Sequence, residues 1–297
     1  MKDTLYYYDI GGLKLQYSES AENKIGCGFI RSLQEFSSNN SLYTDISIEN
    51  QINTYMVSLI TAYSDLPVYE KRNGVFTYSI FKQTTDRYIW VTWIKPRSVF
   101  LAYSIDSMWR NACLLADYTD SNGVEMFDDL ADVFSYSALA LGGIVFHGVV
   151  MEYQDRGVIL SAPSGTGKTT HSNIWRDLEL SIIINGDRAL CRFINGSWTV
   201  FGMPWCGSSG ISQNRQVPIQ AIVILEQHSE NIVERLNPLE ALKRLLPNVY
   251  APAWEPALYN KMLDRLDEII PAVPIFLLRC RPDIDAALTL KSALDSL

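Results

Sequence analysis

A glycine-rich loop carries the clearest chemistry in this sequence. The apolar strand candidate GVILSA leads into PSGTGKTT and then into a predicted helix, and this order is the context of a phosphate-binding P-loop. Two glycines let the backbone fold around phosphate oxygens, and N–H groups at the start of the helix add partial positive charge. Lys168 can reach the β- and γ-phosphates, and the Thr169 hydroxyl can bind Mg²⁺. The predicted nucleotide site comprises Ser164, Gly165, Thr166, Gly167, Lys168, Thr169 and Thr170.

The loop departs from the usual pattern at one position. Ala162 stands where the first glycine of GxxxxGK[ST] is expected, and that position tolerates variation. The alternative is a glycine-rich turn before a helix, with a lysine there by chance. Because strand, loop and helix follow in the right order, we favour the P-loop.

A carboxylate follows the next apolar strand. The segment IINGD ends in Asp187, which could hold Mg²⁺ or accept the proton of an attacking hydroxyl. Asn-Gly-Asp is also good turn chemistry, so Asp187 alone is ambiguous. With the P-loop upstream, we favour the functional interpretation.

Three histidines are weaker candidates. His147 lies one strand before the P-loop strand, in FHGVVMEY, and adjacent strands bring their ends together. A satisfied core imidazole is the simpler interpretation of His147 taken alone. His171, on the helix after the loop, and His228, at a strand end, are weaker still.

A second loop and two arginines are candidates for contacting the substrate. The segment FGMPWCGSSGI is rich in glycine and serine and can offer backbone N–H groups, although it could equally be a plain surface loop. The arginines are candidate phosphate clamps, with a solvated surface role as the alternative. The substrate candidates are therefore Arg188, Gly207, Ser208, Ser209 and Arg215.

Composition excludes several classes of partner. The 297 residues carry a formal net charge of −8, which repels nucleic acid and anionic lipid but allows a small anion at one local site. Five scattered cysteines without a CxxC pair argue against a disulfide framework or a zinc site. No apolar stretch reaches transmembrane length. We predict a cytoplasmic protein without nucleic-acid or membrane partners.

The chain divides into a β-rich part and an α/β part. Residues 1–120 contain aromatic and β-branched strand candidates that predict an antiparallel meander. The candidates are LYYYDI and LKLQY around a Gly-Gly turn, then GVFTYSIF, RYIWVTWI and SVFLAYSI. Residues 121–297 alternate strands and helices, starting with a helix whose face carries Phe127, Leu130, Val133 and Phe134. The fold class is therefore α/β in the mixed α+β sense.

These pieces together resemble the catalytic domain of HPr kinase/phosphorylase. That family has an H-G-V strand, a strand ending in a P-loop and a strand ending in acidic residues. HGVVMEYQDRGVILSAPSGTGKTT and IINGDRAL match this order over residues 140–230. The resemblance implies an active-site role for His147, nucleotide and Mg²⁺ roles for Lys168 and Thr169, and a catalytic role for Asp187. It also implies the fold shared with phosphoenolpyruvate carboxykinase.

The match is incomplete at the acidic position. The family has two adjacent aspartates, whereas the first is Gly186 here. The family's N-terminal domain and phosphorolysis signature are not recognisable, which weakens HPr as the substrate. Carboxykinases are much longer, and their separate metal and oxaloacetate residues are not found.

The resulting hypothesis is an ATP-dependent kinase that phosphorylates a hydroxyl. The acceptor is a serine of a protein or peptide, or a small-molecule alcohol, with ATP (or another NTP) and Mg²⁺ as cofactors. The β-rich domain would present the acceptor on an exposed aromatic sheet; alternatively, its aromatic residues fill a core. A non-catalytic nucleotide-binding regulator and a carboxykinase-type enzyme remain alternatives. The resemblance favours a homo-oligomer, although nothing in the spacing indicates one.

Overall fold

The structure is a computed structural model that describes residues 4–19, 27–39, 43–51, 60, 66–96, 98–117 and 124–297. The chain is mixed α/β, with two eight-stranded sheets. It divides into two compact units, Met1–Ala140 and Leu141–Leu297. Among the described residues, no helix is both long and apolar enough to cross a membrane.

The N-terminal unit is built on one sheet. Its strands are β1 (Thr4–Ile10), β2 (Leu13–Glu19), β3 (Ile46–Asn50), β4 (Tyr69–Asn73), β5 (Phe76–Thr84), β6 (Arg87–Lys95), β7 (Ser98–Asp106) and β8 (Asn111–Asp117), and its described helices are α1 (Cys27–Ser32) and α2 (Val124–Ala140). The strand order is β1-β2-β3-β8-β7-β6-β5-β4. The predicted hairpin of β1 and β2 and the antiparallel run of β5, β6 and β7 are confirmed.

The prediction of a purely antiparallel meander is wrong at β3. This strand was not predicted, and it pairs in parallel with both β2 and β8. Parallel neighbours need a long crossover that usually contains a helix. Residues 20–45 connect β2 to β3 and include α1, so the chain returns to the sheet in the same direction.

The aromatic residues of this unit form its core. Trp90 is 7% exposed and its ring lies 5.4 Å from that of Tyr103 and 6.1 Å from that of Tyr136. Trp109 is also buried and meets Tyr136 edge to face at 5.2 Å. For these residues the alternative interpretation holds, because they fill a core and do not form an exposed aromatic surface.

Helix α2 belongs by its contacts to the N-terminal unit. Its predicted apolar face is confirmed, since all four of its predicted members are buried: Phe127, Leu130, Val133 and Phe134. The Thr92 hydroxyl of β6 donates a hydrogen bond to the Asp129 carboxylate at 2.9 Å. The sequence predicted a boundary at residue 120, which put this helix in the second part. The two compact units divide after Ala140.

The C-terminal unit combines a second sheet with four helices. Its strands are β9 (Ile144–Tyr153), β10 (Arg156–Ser161), β11 (Ile182–Asn185), β12 (Arg188–Ile194), β13 (Ser197–Phe201), β14 (Gln216–Gln227), β15 (Ile232–Arg235) and β16 (Ile275–Cys280), and its helices are α3 (Lys168–Asp177), α4 (Pro238–Leu245), α5 (Pro256–Ala272) and α6 (Ile284–Asp295). Strands and helices are mixed along this part, as the sequence predicted, and β12 with β13 and β15 with β16 form antiparallel pairs.

The order of strands brings the carboxyl ends of several parallel strands to one edge of the sheet. The sheet runs β10-β9-β12-β13-β14-β16-β15, with β11 beside β9 and an additional pairing of β10 with β14. Strands β10, β14 and β16 are mutually parallel, so their carboxyl ends lie at the same edge. Ligands of open α/β sheets bind outside the carboxyl ends of strands. The glycine-rich loop leaves β10 at this edge.

Candidate functional site

The glycine-rich loop joins β10 to α3 as predicted. Gly165 and Gly167 have φ angles of 80° and 112°, a left-handed region that favours glycine. Helix α3 begins at Lys168, directly after Gly167. Ser164, Thr169 and Thr170 are exposed and Thr166 is half-buried. The loop therefore presents its backbone and hydroxyl groups at the start of a helix, where anions are favoured.

Lys168 is held inside the loop. Its Nζ donates to the Ala162 carbonyl at 2.8 Å and to the Pro163 carbonyl at 3.4 Å, and the residue is 8% exposed. Burial lowers the pKa of Lys168, while the charge of Asp187 acts in the opposite direction. The ammonium group is thus fixed at the loop and interacts electrostatically with Asp187.

His147 of β9 lies beside Asp187, which directly precedes β12. Gly148 N–H donates to the Asp187 carbonyl at 2.8 Å, and His147 Nε2 lies 3.4 Å from Asp187 Oδ1. Burial alone would raise the pKa of Asp187. The hydrogen bond with His147 and the charges of His147, Arg188 and Lys168 outweigh burial and lower the pKa. Asp187 is therefore ionised at neutral pH.

Arg188 belongs to the same group. It pairs in register with His147 across β12 and β9, and its Nε lies 3.9 Å from Asp187 Oδ2. Its guanidinium carbon lies 3.8 Å from the centre of the Tyr250 ring, a distance typical of cation–π stacking. Its side chain is 11% exposed, so the solvated-surface alternative does not describe it.

Tyr250 contributes to this group although no sequence motif marks it. Its N–H donates to the Val145 carbonyl at 2.9 Å, which ties it to β9. Its ring meets the His147 ring at 6.2 Å between centroids, nearly edge to face. One aromatic ring therefore contacts both His147 and Arg188. Only the pairing of distant segments reveals this, so sequence spacing could not have found it.

Asn185 organises the turn that carries Asp187. It is fully buried, and its Oδ1 accepts from the N–H groups of Asp187 and Arg188 at 2.9 and 2.8 Å. Its Nδ2 donates to the carbonyls of Met203 and Trp205 at 2.7 and 3.1 Å. The Asn-Gly-Asp segment is thus both a turn and the support of a carboxylate, and Asn185 links it to the second loop.

The second loop covers the turn closely. A side-chain carbon built on Gly186 would lie 1.8 Å from Ser209 Oγ, and one built on Gly207 would lie 3.0 Å from Asp187. An aspartate at position 186 would therefore collide with the loop in this arrangement. In this arrangement Ser209 occupies the space that a side chain at position 186 would need. Gly207 and Ser209 lie at the site, and exposed Ser208 lies between them.

Arg215 is not brought to this group. Its guanidinium forms an ion pair with Glu152, and Glu152 faces Gly157 at the far end of β9. Glu152 follows His147 by five positions along β9, about 16 Å along the strand. Of the two arginines predicted as phosphate clamps, only Arg188 lies beside Asp187.

The other two histidines have different surroundings. His171 is 2% exposed and its Nε2 accepts a hydrogen bond from Trp175 Nε1 at 3.2 Å. Burial lowers the pKa of His171 to about 4, despite the charge of Asp283. The exposed His228 accepts at Nδ1 from the Glu230 N–H at 3.1 Å. Neither contacts Asp187.

The donor groups suit Mg²⁺ bound together with a phosphate. Among the described residues, no three His, Cys, Asp or Glu side chains cluster closely enough to hold a metal by themselves. Mg²⁺ is usually held by one or two carboxylates plus substrate phosphates. The Thr169 hydroxyl and the Asp187 carboxylate are the matching side chains here.

Comparison with known proteins gives matches among solved structures only. No protein-family model and no curated protein matches the chain. Among solved structures, the HPr(Ser) kinase/phosphatase from Coxiella burnetii aligns over 51% of this chain and 88% of its own chain, with 10% identity and a TM-score of 0.31. A TM-score this low carries no argument about fold or function.

Proposed function

We propose that this protein is a Mg²⁺- and ATP-dependent phosphotransferase that moves the γ-phosphate to a hydroxyl group. The proposal includes an HPr kinase/phosphorylase-like P-loop domain in the C-terminal unit. The observation that carries it is the convergence on the Asp187 carboxylate. His147 Nε2 lies 3.4 Å from one of its oxygens and Arg188 Nε lies 3.9 Å from the other, and the charge of Lys168 helps to lower its pKa.

The charges of this group suit a phosphoryl transfer. Lys168 and Arg188 bring two positive charges against one negative charge on Asp187, so the group attracts phosphate even when His147 is neutral. The transferring phosphoryl carries its charge on its equatorial oxygens, and fixed cations stabilise it there. Bound Mg²⁺ supplies further neutralisation of the phosphate charge.

The roles of the side chains follow from their positions. Asp187 is ionised and accepts the proton of the incoming hydroxyl. His147 hydrogen-bonds Asp187 and orients the acceptor or the phosphate. Arg188 binds the phosphoryl oxygens, and the N–H groups around Gly165 and Gly167 hold the β-phosphate. The loop that carries Gly207 to Ser209 lies against Asp187 and contacts the acceptor.

The acceptor is a serine of a protein or peptide, or a small-molecule alcohol. Recognition of that acceptor by residues 1–120, action in the cytoplasm and a homo-oligomeric state remain predictions. A nucleotide-binding regulator without turnover is the second candidate. The observation that favours it is Gly186, which leaves Asp187 without the neighbouring carboxylate.

The experiment uses γ-labelled ATP, Mg²⁺ and a soluble extract of the native cell, separated into protein, peptide and small-molecule fractions. Wild-type protein is compared with Lys168→Ala. Label that enters one fraction with the wild type alone supports the kinase and identifies the class of acceptor. Tight ATP binding with no Lys168-dependent label would instead support the regulator.

A further inference from the structure

The second loop contains three serines whose hydroxyl groups have different surroundings. Ser209 Oγ donates to the Cys206 carbonyl at 2.6 Å, and Ser212 Oγ donates to the Met203 carbonyl at 2.7 Å. These two hydroxyl groups therefore stabilise the loop itself. Ser208 is exposed, and its hydroxyl has no hydrogen bond in the part of the chain that the structure describes. Ser208 is thus the serine of this loop whose hydroxyl is free to react.

Hydrogen bonds on both sides of the loop anchor it to the turn that carries Asp187. Asn185 Nδ2 donates to the Trp205 carbonyl at 3.1 Å, on the amino-terminal side. The Gly186 N–H donates to the Ile211 carbonyl at 3.1 Å, on the carboxyl-terminal side. The free serine lies between these two anchors, so the fold holds it beside the candidate site.

The tip of the loop, residues 207–210, begins against the carboxylate. A side-chain carbon built on Gly207 would lie 3.1 Å from Asp187 Oδ1. Because successive Cα atoms are about 3.8 Å apart, Ser208 Cα lies within about 8 Å of that oxygen. A local rearrangement of the tip is therefore enough to bring the Ser208 hydroxyl to the carboxylate.

Glycines at both ends of the tip permit such a rearrangement. Gly207 and Gly210 have φ angles of 56° and 65°, a region that glycine enters at little cost and leaves as readily. A side-chain carbon built on Gly210 would meet no atom within 4 Å, so there is open space beside it. The tip can change its backbone conformation while the two anchors stay in place.

Hydroxyl groups around the P-loop have other roles. Ser161 is buried and its Oγ donates to the His147 carbonyl at 2.9 Å. Thr166 Oγ1 donates to the Pro163 carbonyl at 2.9 Å, and the Thr169 hydroxyl is the proposed Mg²⁺ ligand. Ser208 differs from these three because its hydroxyl is both exposed and unassigned.

We infer that Ser208 is an internal phosphoryl acceptor, modified within the same molecule. The inference rests on the proposed function, because Mg²⁺-bound ATP supplies the phosphoryl group. Ser208 Oγ forms a bond to the γ-phosphorus, while the bond from that phosphorus to the oxygen bridging the β- and γ-phosphates breaks. The hydroxyl proton passes to the Asp187 carboxylate. The products are ADP and a phosphoserine at position 208.

The test uses purified protein with γ-labelled ATP and Mg²⁺ and without cell extract. Label is located by peptide mass spectrometry in the wild type and in Lys168→Ala. We expect label on Ser208 in the wild type alone. Because an intramolecular step needs no encounter between molecules, the initial rate per molecule should stay constant when the protein concentration is varied.

Three further variants separate the chemical role of Ser208 from a structural one. Ser208→Ala should abolish the label, whereas Ser208→Thr keeps a hydroxyl and should carry the label at the same position. Ser212→Ala is the matched control, because it removes a serine hydroxyl of the same loop that is already hydrogen-bonded, and Ser208 should still be labelled in it. Ser208 is exposed, so its variants are expected to fold.

The outcomes separate this inference from the proposed function. Lys168-dependent label on another residue, such as Ser164 or Thr170, would overturn Ser208 as the acceptor and leave the phosphotransferase standing. The same holds for a rate per molecule that rises with protein concentration, and for label that enters an acceptor of the cell extract but never the protein itself. No Lys168-dependent label in either sample would overturn both.

Discussion

The two units place their polar groups differently. In the N-terminal unit, Trp90 and Tyr103 pack into an aromatic core, and burial raises the pKa of Tyr103 well above its usual range. In the C-terminal unit, Lys168 at the start of α3 and Arg188 at the start of β12 both lower the pKa of Asp187, which stays ionised. Aromatic side chains in the first unit serve packing, whereas we propose that the charged side chains of the second unit bind a ligand.

The largest expected effect separates stability from function. Replacing the buried Trp90 by alanine removes an aromatic core residue and should lower the free energy of unfolding by about 3–5 kcal/mol. ATP affinity of the folded protein should stay unchanged. Urea unfolding and calorimetry check the two results, with exposed Val75→Ala as the matched control. Weaker ATP binding by folded Trp90→Ala would contradict the prediction that the aromatic core affects stability alone.

A substitution in the P-loop should have the opposite effect, with a loss of activity and little change in stability. Lys168→Ala removes a fixed cation from the transferring phosphate and should lower phosphoryl transfer about 10²- to 10³-fold. The free energy of unfolding should change by only about 1 kcal/mol, from the lost hydrogen bonds to the loop carbonyls. Initial rates and urea unfolding measure both quantities. Phosphoryl transfer by Lys168→Ala at the wild-type rate would show that Lys168 does not contribute to the reaction.

The buried His171 should make the stability of the C-terminal unit depend on pH. Burial lowers the pKa of His171 to about 4 from an ordinary 6.5, so the unfolded chain takes up this proton first as pH falls. The stability linked to neutral His171 is therefore complete above pH 6.5 and is lost between pH 6.5 and 4, by about 3 kcal/mol at most. Between pH 6.5 and 4, the free energy of unfolding should fall less steeply with decreasing pH in His171→Phe than in the wild type. Identical slopes would contradict the prediction.

Tyr250 is expected to have the smallest effect. Tyr250→Ala removes the ring that stacks on Arg188 and should lower kcat/KM about tenfold. Tyr250→Phe keeps the ring and should remain near the wild-type value. Steady-state kinetics of both variants and of Arg188→Lys, which keeps the charge and changes the planar group, test this positioning role. An equal loss in the alanine and phenylalanine variants would point to the hydroxyl instead.

The sequence predicted correctly those parts of the fold that residues close in sequence determine. The β1–β2 hairpin and the strand, loop and helix around Lys168 each depend on neighbouring residues. The parallel insertion of β3 was missed because its partners are set by a long crossover. Arg215 was misplaced for a related reason, since only the sheet order shows that it lies with Glu152.

The candidate site was predicted in part for the same reason. Lys168 and Asp187 stand at motif positions, and the adjacency of their strands could be anticipated. Asn185 and Tyr250 act through contacts between segments distant in sequence, and no spacing marks them. The close fit of Ser209 against Gly186 likewise depends on how a loop folds back, which a sequence alone does not specify.

The most direct test of the account is Asp187→Asn, an isosteric change that removes the carboxylate charge. ATP affinity and phosphoryl transfer to the identified acceptor are measured on the same preparation, beside the wild type. ATP should still bind to Asp187→Asn, and transfer should fall about 10²- to 10⁴-fold. Transfer at the wild-type rate by Asp187→Asn would contradict the central claim that this carboxylate serves the transfer of a phosphoryl group.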